Sequence, residues 1–406
     1  MIVRSVLLAF VWGISATAFA WTYSAPITVN TLSKPGTFLH LESSGNRSLA
    51  LGKSTIAVAW EDNRSGQPQV YVAYKSHTSK SFTAAQRVSA DGPAYEPAIA
   101  ALPDRGFIVA WEAKGHVWAR LVSPGHRAEL QRVSNALARQ VTISVAPSGK
   151  IWLAWSARAG RHYQIVVTTA RVKSGQLQVE AARAVDPVAP RQDQQYPSLA
   201  VSADGTTVAW EDRRYGHTRI FTAFAYPGQW FSPLRQLNRV KRHRRDVIGN
   251  GTGSMRVVLA SNGKHSIVAS WLDKRNFAEG YDVYAAFSHD GGKTFGKNEK
   301  VQDMFGADQA QWHAVSAMDQ RGHALVAWDD QRNGNPDIWM SWRDNQGWSD
   351  DESPAGAGGP GAQTHPALVF DEHGRAHIAY LDQQQGQSSI RYLVATPDKG
   401  EFADSP

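Results

Sequence analysis

Two sets of residues in this chain have types and spacings that could do chemistry. The first is varied. Glu96, Tyr196, Arg256, His313 and His365 each stand just before a short apolar run, and Asn46, Arg47 and Gln140 hold the matching places before other runs. Glu96 or either histidine can give or take a proton, Tyr196 can act as general acid or nucleophile, and Arg256 can anchor a carboxylate or phosphate. The second set is repetitive. An aspartate two residues after a tryptophan and an arginine four after it occur as Asp62 and Arg64, Asp212 and Arg214, Asp273 and Arg275, and Asp330 and Arg332. Together with Arg47, the guanidinium groups of Arg214, Arg275 and Arg332 are candidate anchors for an acidic substrate. A device used four times reads first as structure, since function needs particular groups at a particular site. Aspartate can accept loop N–H groups and arginine can fork onto it.

What positions both sets is a repeat. The apolar phrase ending in Trp60 returns at Trp111, Trp155, Trp210, Trp271 and Trp328, and a last copy has Tyr380 in the tryptophan's place. Successive copies lie 44 to 61 residues apart, and a period near 50 belongs to architectures whose units bury their faces against one another. Alternating β-branched and aromatic residues with Asp-Gly turns make the unit β: residues 197–201, 207–210 and 219–224 are three strands of one copy. A fourth, such as 82–88, follows. Seven units of four antiparallel strands predict an all-β, seven-bladed β-propeller. The last unit has no fourth strand of its own, and residues 23–29 precede the first unit without a partner, so the N-terminal strand is expected to close the ring and remove a free edge. In such a blade the innermost strand begins on the face where the second ends. The varied residues should therefore ring the mouth of the central channel.

The flanks and composition narrow the setting. Residues 1–20 carry Arg4, an apolar run and Ala18-Phe19-Ala20, the pattern of a secretory signal with a small-residue cleavage site; residues 21–406 then form a single propeller domain, periplasmic or secreted. No later segment is long and apolar enough to span a membrane. The chain has no cysteine, so neither disulfides nor thiolate metal sites are available. Its 15 tryptophans are expected to fill the packing between blades. The formal charge is +7, part of it in the basic run 239–245, which reads as a solvated loop or as a contact for acidic glycan; export argues against nucleic acid as a partner. Residues 353–361, rich in glycine and proline, read as a loop within the domain. His373 and His377 are four apart, but Gly374 between them marks a turn and opposes helical metal-ligand geometry. Residues 333–337 read as a polar turn in preference to a calcium loop. No metal, nucleotide or other cofactor is expected.

One motif carries a family resemblance. Ser288-His289-Asp290-Gly291-Gly292-Lys293-Thr294-Phe295 closely resembles the Asp-box, or BNR repeat, of the sialidase-like propeller superfamily, with degenerate traces at residues 76–82 and 343–348. The resemblance implies a propeller whose Asp-boxes are structural turns on the face opposite the functional one. Because sialidases of that superfamily have six blades, a six-bladed ring stands as the alternative to seven. Their three carboxylate-binding arginines begin with an Arg-Ile-Pro phrase that this sequence lacks, so the sialidase catalytic motif is not expected.

Two readings remain open. One is a non-catalytic propeller binding a glycan or a protein partner at its channel face. The other is an enzyme on acidic polysaccharide. A glycosidase needs two facing carboxylates, with Asp212 or Asp330 the expected partner of Glu96. A lyase needs Tyr196 and a histidine in the same space as Arg256.

Overall fold

A computed structural model describes residues 21–239 and 253–398, apart from 33, 35, 105, 276–279, 307 and 345. The expected signal segment, nearly all of the basic run and the final residues lie outside the described residues. Seven antiparallel sheets follow one another along the chain, so the seven-bladed ring is correct and the six-bladed alternative is not. Blade four shows the pattern: Gln194–Val201 innermost, Thr206–Tyr215, His217–Ala225 and the short outer Arg235–Gln236. Blade six departs from the expected four strands. After Trp312–Met318, Ala324–Asp330 and Asp337–Arg343 its outer edge has, among the described residues, only the single bridges Met340 to Glu352 and Arg343 to Trp348.

The ring closes as the sequence suggests, with one break. Trp21–Tyr23 and Ile27–Leu32 both pair with Gln387–Pro397, the third strand of blade seven. Pro26 lies in the gap; it has no N–H to give to a ladder, which is why the closing strand comes in two pieces.

Packing follows from the repeated tryptophans. Seven apolar clusters each join adjacent blades, the one between blades six and seven also taking in Val258 of blade five, and one of them joins blade seven to blade one. Trp60, Trp111, Trp155, Trp210, Trp271, Trp328 and Tyr380 are all at most 2% exposed. Burying an indole leaves its N–H in need of an acceptor, and the aspartate two residues on supplies it: Trp60, Trp210, Trp271 and Trp328 donate Nε1–H to Asp62, Asp212, Asp273 and Asp330 at 2.7, 3.1, 2.8 and 3.0 Å. The other aspartate oxygen receives the backbone N–H of the following arginine, whose guanidinium folds back on the same carboxylate. Each guanidinium also lies over the third-strand aromatic, Tyr71, Phe221, Tyr284 or Trp339, at 4.4, 4.6, 3.6 and 4.1 Å from the ring centre. The device is a lock between second and third strands.

The Asp-box forms a turn at the other end of the blade. Asp290 accepts from the Thr294 N–H and hydroxyl at 2.9 and 2.7 Å, and Ser288 Oγ accepts the Gly292 N–H at 2.8 Å. Its glycines are required by close approach: a Cβ on Gly292, at φ +99°, would stand 1.8 Å from Thr207 Oγ1 of blade four. Since the innermost strands begin on the opposite face, the box lies away from the channel mouth, as the resemblance implied.

Candidate functional site

Outside blade one, the innermost strand of each blade enters through a bulge. In blades two to seven the pairing with the second strand slips at Tyr95/Ala98, Arg139/Thr142, Gln195/Ser198, Met255/Val258, Trp312/Val315 and Thr364/Ala367. The residue inside each slip is one of the varied set, and each has a left-handed backbone: Glu96 (φ 46°), Gln140 (61°), Tyr196 (50°), Arg256 (58°), His313 (50°) and His365 (55°), with Asn46 (52°) in blade one. For a residue with a Cβ this conformation costs roughly 1–2 kcal/mol, and glycine would avoid the cost. No blade uses glycine there.

The backbone of these bulges is held by groups the sequence reading overlooked. In blades one, two, four and six the residue after the repeated aromatic is acidic, and its carboxylate accepts the bulge N–H of the next blade. Glu96 N–H donates to Glu61 at 3.0 Å, Gln140 N–H to Glu112, Arg256 N–H to Glu211 at 2.8 Å and His365 N–H to Asp329 at 2.9 Å. In blade three Ser156 stands at that place, and the Gln140 side-chain oxygen takes over, receiving both Ser156 Oγ–H and Tyr196 N–H. The signal was present one position from the tryptophan, in the same phrase that yields the aspartate and arginine.

Blade one supplies a second unforeseen element. Its innermost strand is divided into Leu39–His40 and Leu49–Leu51, and the chain between them crosses the channel. Ser44 Oγ–H reaches the carbonyl of Pro197 at 2.7 Å, Asn46 Nδ2–H that of Pro366 at 3.1 Å, and Arg47 Nη2–H those of Leu199 and Leu259 at 2.7 and 2.9 Å. At the tip, a Cβ on Gly45 (φ +67°) would lie 2.8 Å from Thr142 Oγ1 and 2.9 Å from Ser198 Oγ. This plug ties blade one to blades four, five and seven. Arg47 is thereby a half-buried cross-tie, its ionisation depressed to about 10 by desolvation of its guanidinium.

The plug also carries Glu42 into the middle of the mouth. Its Oε1 lies 3.3 Å from Arg256 Nη1, while its Oε2 lies 3.9 Å from His40 Nε2 and 4.0 Å from His365 Nε2. Arg256 spreads its guanidinium 3.7 Å above the Tyr196 ring, and the His313 and His365 rings stack at 3.6 Å with His313 Nδ1 2.8 Å from Asp329. Glu42, Asn46, Tyr196, Arg256 and His313 line a single cavity. Tyr196, Arg256, His313 and His365 are thus gathered, and Glu96 joins them through its neighbours Glu61, Glu42 and Glu112.

Burial and mutual charge set this cluster apart. Burial raises Glu42, but His40 and the nearby cations outweigh it and hold the carboxyl down at about 2; burial lowers His40, yet Glu42 and Glu61 bring it up to about 10. His365 is lowered to about 4 by burial and by His313, whereas His313, lowered by burial, is raised overall by Asp329. Burial pushes Glu112 up to about 8, with Glu96 adding to it, and Glu211 up to about 7 against the pull of Arg256. Burial likewise raises Glu96, one of whose oxygens is buried without a hydrogen-bond partner among the described residues, and Tyr196.

The remaining candidates sit elsewhere. Arg214, Arg275 and Arg332 are locked onto their aspartates, and Arg214 and Arg332 make second carboxylate contacts, with Asp186 at 2.9 Å and Asp351 at 2.8 Å. Asp212 and Asp330, the expected partners of Glu96, are the acceptors in those locks. His377 is buried against Tyr392 and Asp371, and Asp337 takes the Gly359 N–H at 2.9 Å as part of a turn.

Aromatic side chains surround the mouth. Phe38, Tyr95, Tyr215, Phe305 and Trp312 are exposed, and their places at the beginnings of innermost strands, at the ends of second strands or in the connections between blades put them on the mouth face. Trp312 packs on Tyr281 with ring centres 5.4 Å apart.

No protein-family model and no curated protein matches the chain. Among solved structures, it is similar to an α-L-arabinofuranosidase from Fusarium graminearum (12% identity, 75% of this chain and 93% of that one, TM-score 0.48). It is also similar to a puromycin-hydrolysing peptidase from Mycobacterium tuberculosis (11%, 86% and 55%, TM-score 0.49) and to a sialidase from Trypanosoma rangeli (8%, 87% and 53%, TM-score 0.47). These are likenesses of architecture, and no residue or activity is carried over from them. The chain is a seven-bladed β-propeller with a channel mouth of its own.

Proposed function

We propose that this protein is exported and binds a glycan on its channel face, an acidic glycan fitting best. One observation carries the reading. Seven ring positions hold a left-handed backbone that glycine would adopt at least cost, and all seven instead carry a polar or ionisable side chain pointing the chemistry of the ring toward one mouth. Exposed aromatics on that face supply flat apolar surfaces for sugar rings, and Arg256, half-buried on Tyr196, supplies a cation for a uronate carboxylate. An array of neutral and uronate-containing oligosaccharides tests this. Saturable binding to acidic members, weakened at least tenfold in Arg256→Gln, is expected; a folded protein that binds none of them overturns it.

A second reading has its own support, for Tyr196, Arg256 and His313 line one cavity. That is the arrangement a lyase needs: Arg256 neutralising the uronate, one group removing the proton beside it and another protonating the leaving oxygen. Release of unsaturated uronates by the wild type and none by Tyr196→Phe would favour it over binding alone. Hydrolysis is less well served, because Asp212 and Asp330 belong to the tryptophan locks and Glu61 and Glu112 receive bulge N–H groups.

A further inference from the structure

We infer that the channel mouth is a binding site for a divalent transition metal of the zinc type, held by His40, Glu42 and His365. The inference stands on ligand geometry, independently of glycan binding, and it goes against the sequence expectation that no metal is bound.

One ligand atom from each of the three residues lies within 4.8 Å of the others. Both imidazoles present Nε2 to the same carboxylate oxygen, Glu42 Oε2, at 3.9 and 4.0 Å. Those separations are too long for hydrogen bonds. Around a tetrahedral ion with bonds of about 2.0–2.2 Å the ligand atoms stand roughly 3.3–3.6 Å apart, so the two histidine–carboxylate separations need to close by about half an ångström, and the two histidine nitrogens, within 4.8 Å of each other, by at most about 1.5 Å.

The far nitrogen of His365 is already hydrogen-bonded, and that of His40 faces a carboxylate. His40 Nδ1 lies 3.6 Å from Glu61 Oε2, and His365 Nδ1 lies 3.0 Å from Thr364 Oγ1. Metal-binding histidines ordinarily have their second nitrogen so engaged, which fixes the ring and directs the first at the ion. The third ligand is held as well: Glu42 Oε1 faces Arg256 at 3.3 Å and leaves Oε2 to the histidines.

Two histidines and a glutamate make a three-protein-ligand set with a fourth position open. Glu42 also lines the cavity beside Tyr196, so that position faces the space where a sugar carboxylate or hydroxyl would sit. The His313, Asp329 and His365 atoms form an overlapping group, but His313 Nδ1 and Asp329 are already in contact at 2.8 Å, and they serve as outer neighbours.

The test uses the full chain without a histidine tag, stripped with chelator and titrated with zinc chloride by calorimetry. One equivalent should bind, and Glu42→Gln and His365→Ala should each weaken it at least tenfold, with His373→Ala, exposed on the other face, unchanged. Cobalt loading of the wild type provides a readout that needs no variant, namely the visible absorption of a tetrahedral site. Absence of saturable zinc binding and of that absorption overturns the inference, as does wild-type affinity in folded Glu42→Gln and His365→Ala.

Discussion

The tryptophan locks and the channel mouth use the same kinds of residue to opposite ends. In the locks, carboxylate and guanidinium consume each other: Asp273 takes the Trp271 indole N–H, the Arg275 N–H and the Arg275 side chain, while Arg275 covers Tyr284. Four blades repeat the same solution. In the mouth the seven left-handed positions carry Asn, Glu, Gln, Tyr, Arg, His and His, and burial drives neighbouring acids and bases apart in their ionisation. Identity between copies goes with the packing lock, and difference between copies goes with the mouth to which binding is assigned in the proposal.

The largest expected effect breaks a lock. Asp330→Ala leaves the buried Trp328 indole N–H without its acceptor and the Arg332 guanidinium with Asp351 in place of two carboxylates, and removing one partner of a buried pair costs about 3–5 kcal/mol. Chemical denaturation should show that loss while glycan affinity per folded molecule stays unchanged. Gly292→Ala comes next, at about 1–3 kcal/mol, since its Cβ would meet Thr207 and its backbone is left-handed; the melting temperature should fall with ligand binding intact. In the mouth the sign reverses. Glu96→Gly relieves a left-handed backbone and deletes a partly unpartnered carboxylate, and should stabilise the protein by about 1 kcal/mol while weakening glycan binding.

A pH-dependent effect concerns Glu112. Its folded value of about 8 lies above the ordinary glutamate value of about 4.3 in an unfolded chain. Between the two the folded state retains a proton that the unfolded state has lost, so stability present below about pH 4.3 declines as pH rises and the loss is complete above about 8. Glu112→Gln should flatten that decline in melting temperature measured from pH 5 to 8; an unchanged slope would assign it to other groups.

Much of this contrast was legible in the sequence, because periodic features announce themselves. The recurring tryptophan gave the blade count, the unpaired residues 23–29 gave the closure, and the positions before each apolar run gave all seven ring residues. Glu42 and His40 were not legible, since the plug that carries them is an irregular segment with no counterpart in other blades and its partners are brought together only by the closed ring. Glu61, Glu112, Glu211 and Asp329 escaped for a different reason. Their position reads Glu, Glu, Ser, Glu, Leu, Asp and Leu through the seven copies, an incomplete pattern whose meaning depends on the facing blade. The break at Pro26 and the bare edge of blade six belong to the ends of pairing, which local sequence marks weakly.

The claim that recognition resides in the mouth and not in the locks is tested most directly by paired isotherms of one acidic oligosaccharide against Arg256→Gln and Arg275→Gln. Arg256→Gln should lose at least tenfold in affinity, and Arg275→Gln, though less stable, should stay within about twofold of the wild type, since every tenfold corresponds to about 1.4 kcal/mol of binding. Equal losses in both, or a loss confined to Arg275→Gln, would contradict the account.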